Sequence, residues 1–286
     1  MKLQYWGTAA AEGIPALFCD CKVCREAREK GGRYVRSRSQ ALIDGSVLVD
    51  FGADTYLNSV RFGFDTSKLE HVLITHVHED HYAPVDFTNR LNNMCKHPAV
   101  PTLTVHGSVD VKQTALRYWE LCGETVAERL FEQNRIAFHE LKPYETYPIA
   151  GLSVTPLPAT HNTPHPYVYV ISKGEKTIFY FNDSGYLSEE SMAYLRKNRV
   201  QFDLVSYDCT HGAQDGNSAA GGRHMGLPNN LEMKRRFIEN GNYKDTTVSV
   251  ITHFSHNIPT VGYGDMLKTA QANGFVLAYD GMEIEI

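Results

Sequence analysis

Along the chain, short apolar runs alternate with segments of helical period, and this rhythm sets the predicted elements. Residues 3–6 open as a strand. Residues 40–43 and 46–49 flank Asp44-Gly45, the dipeptide of a tight hairpin. Residues 54–62 have a helical pattern, 71–74 form a buried strand, 102–105 a further strand, and 111–121 an amphipathic helix. The second half starts again with strands at 152–156, 167–171 and 177–181. Ser188 caps a helix through Arg196. A strand at 202–207, a helix at 231–239, a strand at 248–251, a helix at 264–272 and a final strand at 275–279 follow. Residues 35–38 and the glycine-rich 212–223 read as irregular loops, the second mobile or shaped to a ligand. Two strand-rich halves, each with helices, predict an α/β protein of two mixed sheets packed together with helices outside, a four-layer αββα sandwich. No repeat or break in composition divides the chain, so residues 1–286 are expected to form a single domain.

The 286 residues are 42% hydrophobic, enough for a sizeable core, and the net charge is −5. That balance argues against nucleic acid as a partner bound by charge alone. No apolar run reaches membrane-spanning length, and Met1-Lys2-Leu3-Gln4 begins no signal peptide. A cytoplasmic protein with a small-molecule substrate and no membrane partner is expected; a homodimer stays open. Six cysteines in that setting point to metal or free thiols rather than disulfides.

Chemistry concentrates at the strand ends. Thr75-His76-Val77-His78-Glu79-Asp80-His81 follows a buried strand at once. His76 and His78 are two residues apart, so in an extended loop they point the same way and reach one ion. Asp80 and His81 reach a second ion beside it. Neutral imidazole and carboxylate suit zinc, manganese or iron. Later strand ends carry His161, Asp183, Asp208 and His253, and ligands at successive strand ends converge on one sheet edge. Asp183 is placed to bridge two cations, which need a shared anion to offset their repulsion. Cys19-Asp20-Cys21-Lys22-Val23-Cys24 supplies a cluster of thiols that wants a fourth ligand to close a tetrahedral structural zinc site. His256, shortly after His253, is the candidate.

His-x-His-x-Asp-His, a later His, an Asp after an apolar strand and a late Thr-His resemble the metallo-β-lactamase superfamily, over essentially the whole chain. The resemblance implies a hydrolase fold of that type. It implies that His76, His78 and His161 hold one divalent cation and Asp80, His81 and His253 a second, manganese or zinc, with Asp183 bridging. Asp50, in Leu48-Val49-Asp50-Phe51-Gly52, matches the strand-end Asp that supports the ligand loop. The Cys cluster with Thr252-His253-Phe254-Ser255-His256 narrows the resemblance to the phosphodiesterases of the carbon–phosphorus lyase pathway, which open 5-phosphoribosyl 1,2-cyclic phosphate. Asp208-Cys209-Thr210-His211 and the closing Asp280-Gly281-Met282-Glu283-Ile284 also fit that group. A related cluster occurs in the group needed for pyrroloquinoline quinone synthesis. Segments 82–160 and 212–223 are longer than in the phosphodiesterases and are expected to border the pocket.

The implied activity is metal-dependent hydrolysis of a small cyclic phosphodiester through a hydroxide bridging the metals. Catalytic roles fall to Asp80, Asp183 and His224, the last contacting phosphate or protonating the leaving oxygen. Alternatives on the same fold are a nuclease and an ester or thioester hydrolase; outside enzymes stands a metal-binding accessory protein of cofactor biosynthesis. His211 is left between a phosphate contact and a supporting role. His165 is expected in a loop role, and His71, His97, His106 and His139 are expected to be structural. Cys95, Cys122 and Cys209 are expected as small buried residues, and Arg33, Arg36 and Arg38 on a solvated face. Ser184 has no base spaced to serve it as a nucleophile.

Overall fold

Central strands covered on both faces read as continuous apolar runs rather than alternations. That is how the middle of each sheet is written here. The structure is a computed structural model and describes residues 1–217, 221–257 and 262–286; residues 218–220 of the glycine-rich loop therefore lie outside the described residues. The first half contributes β1 (Lys2–Gly7), β2 (Gln40–Ile43), β3 (Val47–Val49), β4 (His71–Leu73), β5 (Leu103–Gly107) and β6 (Ile136–Glu140). The second contributes β7 (Tyr147–Ile149), β8 (Leu152–Pro158), β9 (Tyr167–Lys173), β10 (Lys176–Phe181), β11 (Phe202–Asp208), β12 (Tyr243–Thr252), β13 (Val276–Leu277) and β14 (Glu283–Glu285). The helices are α1 (Lys22–Lys30), α2 (Thr55–Arg61), α3 (Val109–Cys122), α4 (Val126–Glu132), α5 (Glu189–Lys197), α6 (Leu227–Glu239) and α7 (Tyr263–Ala272).

Two seven-stranded sheets result, in the orders β14-β1-β2-β3-β4-β5-β6 and β13-β12-β11-β10-β9-β8-β7. β3 to β6 run parallel, as do β10 to β13. In β10, Ile178 and Tyr180 pack between the sheets with Tyr5, Val49 and Leu73. Phe179 and Phe181 point the other way, onto Met192, Leu195 and Phe237 of α5 and α6. On the first sheet, Val72 and Val105 pack against Ala115, Trp119 and Leu130 of α3 and α4. Burial of each such side chain contributes roughly 1.5–3 kcal/mol. Helices, sheet, sheet and helices thus form the αββα order expected from the sequence. The parallel strands of both sheets end at one edge, where the candidate ligands sit.

Several elements depart from expectation. Asp44 and Gly45 take positive φ values of 49° and 66°, and the Ser46 N–H donates to the Ile43 carbonyl at 3.0 Å. This is the expected type I′ turn. Ile43 nevertheless pairs with Val47, so Ser46 bulges out and β3 starts one residue late. The expected last strand shrinks to β13. The true last strand, β14, pairs with β1 through Leu3 and Ile284, and its Glu-Ile-Glu sequence carries no strand signal of its own. Helices α1 and α4 and strands β6 and β7 were also unannounced, all being short and α1 largely polar as well. Cys209 is buried, but Cys95 is only half-buried and Cys122 is exposed at the end of α3.

The arginine run is not a solvated face. Arg36 is buried, donates to Thr8 Oγ1 at 2.7 Å and the Ala278 carbonyl at 2.8 Å, and stacks on Phe254. Arg38 pairs with Asp54 at 3.0 Å. Of the three, only Arg33 stays exposed, lying over the Tyr279 ring.

Candidate metal centre

The loop after β4 is fixed at both ends by one carboxylate. Asp50 accepts from the Thr75 N–H at 2.8 Å and the Thr75 hydroxyl at 2.9 Å. Its other oxygen lies 2.7 Å from His81 Nδ1. Gly52 lets the loop close over it: a Cβ there would sit 2.1 Å from the Asp80 carbonyl oxygen. The fully buried Asp50 thus shapes the whole stretch from Thr75 to His81.

Side chains from both sheets meet above this loop. His76 Nε2 and His161 Nε2 lie 3.0 and 3.1 Å from His78 Nδ1. Two nitrogens on one tetrahedral zinc, with bonds of about 2.0–2.1 Å, would be about 3.3 Å apart. His76, His78, His161 and Asp183 form one group of converging donors, and Asp80, His81, Asp183 and His253 form another. Asp183 belongs to both: its Oδ2 lies 3.2 Å from His76 Nε2, 3.0 Å from His81 Nε2 and 3.6 Å from His253 Nε2.

Among the described residues, Nε2 of His81 and of His253 are buried and find no hydrogen-bond partner. Orphaned imidazole nitrogens beside buried carboxylates are what a cation site requires. Electrostatics agree. Burial draws His76 down to about 3 and His161 down to about 4, so both are neutral donors. Burial opposes charge on His81 as well, but Asp80 and Asp50 outweigh it and raise its pKa well above the ordinary value. Asp80 and Asp183 are held below the carboxylate range despite burial, by His81 and by His253 with His76 respectively. The residues present therefore fit two adjacent cations.

A second carboxylate does for β11 and β12 what Asp50 does for β4. Asp208 accepts from the Met225 N–H at 2.8 Å and the Thr210 hydroxyl at 2.9 Å. Thr210 Oγ1 in turn lies 2.7 Å from His253 Nδ1. His224 Nδ1 lies 3.1 Å from Asp208 Oδ2 and 3.0 Å from Asp183 Oδ1. Burial lowers the His224 pKa, but Asp208 and Asp183 more than offset it and bring it to about 11. A cavity of about 390 Å³ opens over these groups. Glu12, Asn162 and Arg223, none of them singled out in the sequence, line it as well, and so does Thr210 of the Asp208-Cys209-Thr210-His211 stretch. No residue of 82–160 borders it, contrary to expectation; of 212–223, Arg223 does.

The remaining expectations sort cleanly. His211 stays outside this lining, its ring 6.3 Å from that of His224. His165 pairs with Asp110 at 2.7 Å. Ser184 is buried, with its Oγ accepting from Thr160 and donating to the Gly185 carbonyl. His71, His106 and His139 form a row of their own, at 3.1 and 3.2 Å.

The thiols also converge. Cys19, Cys21, Cys24 and His256 bring four donors within 4.8 Å of one another. His256 Nδ1 lies 3.4 Å from Cys19 Sγ and 3.6 Å from Cys21 Sγ. Sulfur and nitrogen on one tetrahedral zinc, at about 2.3 and 2.0–2.1 Å, would be about 3.5 Å apart. The N–H of Ala16 donates to Cys24 Sγ at 3.3 Å, a contact that favours thiolate, but burial outweighs it and pushes the Cys24 thiol up to about 11.

The model of the family described as Beta-lactamase superfamily domain matches residues 46–240. The chain is similar to a solved structure described as a new diphosphatase from the PhnP family, at 18% identity and TM-score 0.72, over 100% of this chain and 97% of that one. It is similar to Zn(2+)-bound PqqB from Methylobacterium extorquens, at 17% identity and TM-score 0.68, over 100% of both chains. It is also similar to the short form of human tRNase Z, at 17% identity and TM-score 0.64, over 100% of this chain and 99% of that one. At these identities the likeness is one of fold. A curated relative, an octanoyltransferase from Porphyromonas gingivalis, is 25% identical over 169 residues, or 56% of this chain. The match spans about a third (31%) of that relative's length.

Proposed function

The chain belongs to the metallo-β-lactamase superfamily, and on that premise we propose that it is a single-domain dinuclear phosphodiesterase acting on a small phosphodiester in the cytoplasm. His76, His78 and His161 hold one divalent cation, Asp80, His81 and His253 the other, and Asp183 joins them. The cations are manganese or zinc, and Cys19, Cys21, Cys24 and His256 hold one structural zinc. The observation that carries this reading is the sharing of Asp183 between the two donor groups. When bound, the two cations supply a water of lowered pKa and positive charge for the phosphoryl oxygens.

The chain's own residues supply the rest. Asp50 and Asp208 orient the imidazoles before substrate arrives, so no reorganisation is needed during reaction. His224, kept protonated by Asp208 and Asp183, gives its proton to the leaving alkoxide. Among the described residues, no serine or cysteine lines the cavity, which supports direct hydrolysis. The similarity to a PhnP-family diphosphatase favours a phosphorus substrate over an acyl one.

Metal analysis of purified protein with and without Asp183→Ala tests the reading, paired with rates on bis(p-nitrophenyl) phosphate and on p-nitrophenyl acetate. Loss of dinuclear occupancy together with phosphodiesterase activity is expected, with the acyl ester a poor substrate throughout. Full activity in Asp183→Ala, or faster turnover of the acyl ester, sinks it.

A further inference from the structure

The cysteine cluster carries a chemistry that ion binding does not use. Cys21 is the N-cap of α1, a helix of nine residues, and Cys24 lies in its first turn. The Cys24 N–H points at Cys21 Sγ, 3.5 Å away. Free N–H groups and the dipole at a helix N-terminus favour thiolate, and Cys-x-x-Cys at such a place is the layout of dithiol–disulfide exchange. Cys21 is half-exposed and Cys24 buried. One sulfur is therefore open to a small oxidant, and the other sits behind it. Their Sγ atoms already lie within 4.8 Å, so closure to a bond of about 2.05 Å needs only local movement.

The same cluster is tied to the candidate metal centre. His256 faces the thiols, and His253 of the same short segment faces Asp183. Between them, the Phe254 N–H donates to the Thr8 carbonyl at 3.0 Å and the Ala10 N–H to the Phe254 carbonyl at 2.9 Å. Ser255 donates to Glu12 at 3.0 Å. The thiol cluster thus anchors one end of a segment whose other end carries a candidate ligand.

We propose that the cluster is a redox switch: a hydroperoxide converts Cys21 and Cys24 to a disulfide, the structural zinc leaves, and the His253 segment loses its anchor. This rests on the zinc reading of Cys19, Cys21, Cys24 and His256 given above. Cys21 thiolate attacks the peroxide oxygen, the O–O bond breaks, and a sulfenic acid and an alcohol form. Cys24 then attacks that sulfur, the S–S bond forms and water leaves. Two thiols are oxidised by two electrons and the hydroperoxide is reduced by two; protons come from solvent when the thiols start as zinc-bound thiolates. A thiol reductant with zinc reverses the step.

The test uses zinc-loaded full chain carrying Cys95→Ser and Cys122→Ser, which removes the accessible thiols outside both centres and leaves only the buried Cys209. Hydrogen peroxide is added, released zinc is read with a chromophoric chelator, and peptides are mapped by mass spectrometry. One equivalent of zinc released together with a Cys21–Cys24 disulfide, both reversed by dithiothreitol plus zinc, is expected. Zinc retained under oxidation, or released with sulfinic or sulfonic acids and no disulfide, overturns the switch. Untreated protein that holds no chelator-resistant zinc overturns the zinc reading and the switch together. Neither readout uses activity. A protein inactive on phosphodiesters that still shows release and disulfide would lose the phosphodiesterase reading and keep the switch.

Discussion

Thr75 and Thr210 stand in matching positions on the two sheets: each gives its hydroxyl proton to a buried aspartate and accepts from an imidazole of the centre. Thr75 donates to Asp50 and meets His76 Nδ1 at 3.0 Å. Thr210 donates to Asp208 and meets His253 Nδ1 at 2.7 Å. A hydroxyl has one proton, so an oxygen that donates to carboxylate must accept from the ring. The ring then carries its proton on Nδ1 and turns the Nε2 lone pair to the centre. Thr75→Val and Thr210→Val keep the shape and remove this relay. Each is expected to weaken active-site metal binding about 10–100-fold, with the fold retained, as read by chelator competition and circular dichroism. Unchanged affinity in both would show that the tautomers are set by other groups.

The loop that carries His224 is held by glycines at close approach. A Cβ on Gly185 would lie 2.0 Å from the Gly222 carbonyl oxygen, and one on Gly216 would lie 2.4 Å from that of His224. Gly185 is two residues from Asp183, so the loop is registered directly on the centre. Gly185→Ala is expected to push the loop away and lower kcat about 100-fold, the scale of an ångström-sized misplacement. Metal content should stay near wild type. A variant with normal kcat would mean the loop finds another path.

Asp208 and His224 predict a pH dependence. His224 serves as an acid only while protonated, so activity falls as pH rises through its pKa. Burial lowers that pKa, and Asp208 is the leading group that raises it to about 11. Asp208→Asn removes that support. The alkaline limb of the kcat–pH profile is expected to move to lower pH, with the acid limb unmoved. The profile is measured on a substrate with a poor leaving group, which needs the proton. If the limb stays in place, His224 is not the acid.

The first five site residues the eye finds, from His76 to His161, were legible because they crowd one loop or end a strongly apolar strand. His256 was legible for a different reason: the thiols lacked a partner, and spacing offered one. The double duty of Asp208, behind both His224 and His253, was not legible, because a strand-end Asp looks the same whether it binds a cation or orients the residue that does. Glu12, Asn162 and Arg223 carry no local signal at all; only folding brings them to the cavity. The expectation that 82–160 would border the pocket failed because that segment goes into strands β5 to β8, the outer helices α3 and α4 and the connections between them. In the fold, hydrophobic period marked the central strands well. It missed β14, which is defined by its partner β1 rather than by its own residues.

His71, His106 and His139 predict a stability change away from the site. His106 Nε2 lies 3.1 Å from His71 Nδ1, and its Nδ1 lies 3.2 Å from His139 Nδ1. Both ring nitrogens of a neutral His106 are then used, one donating and one accepting. A proton added to the middle ring would force it to donate at both ends. Burial, with His71 and His139 beside it, draws the His106 pKa down to about 3. In the unfolded chain the value is about 6.5. The unfolded state therefore binds more protons between these values, so stability is intact above about pH 6.5 and is lost as pH falls towards 3. One proton sets a slope of at most about 1.4 kcal/mol per pH unit. His106→Leu should be less stable than wild type at pH 7.5, having lost two hydrogen bonds, and should lose less on acidification. Denaturant melts at pH 7.5, 6, 5 and 4 give the difference. Parallel curves for the two proteins would show that His106 takes up no extra proton on unfolding.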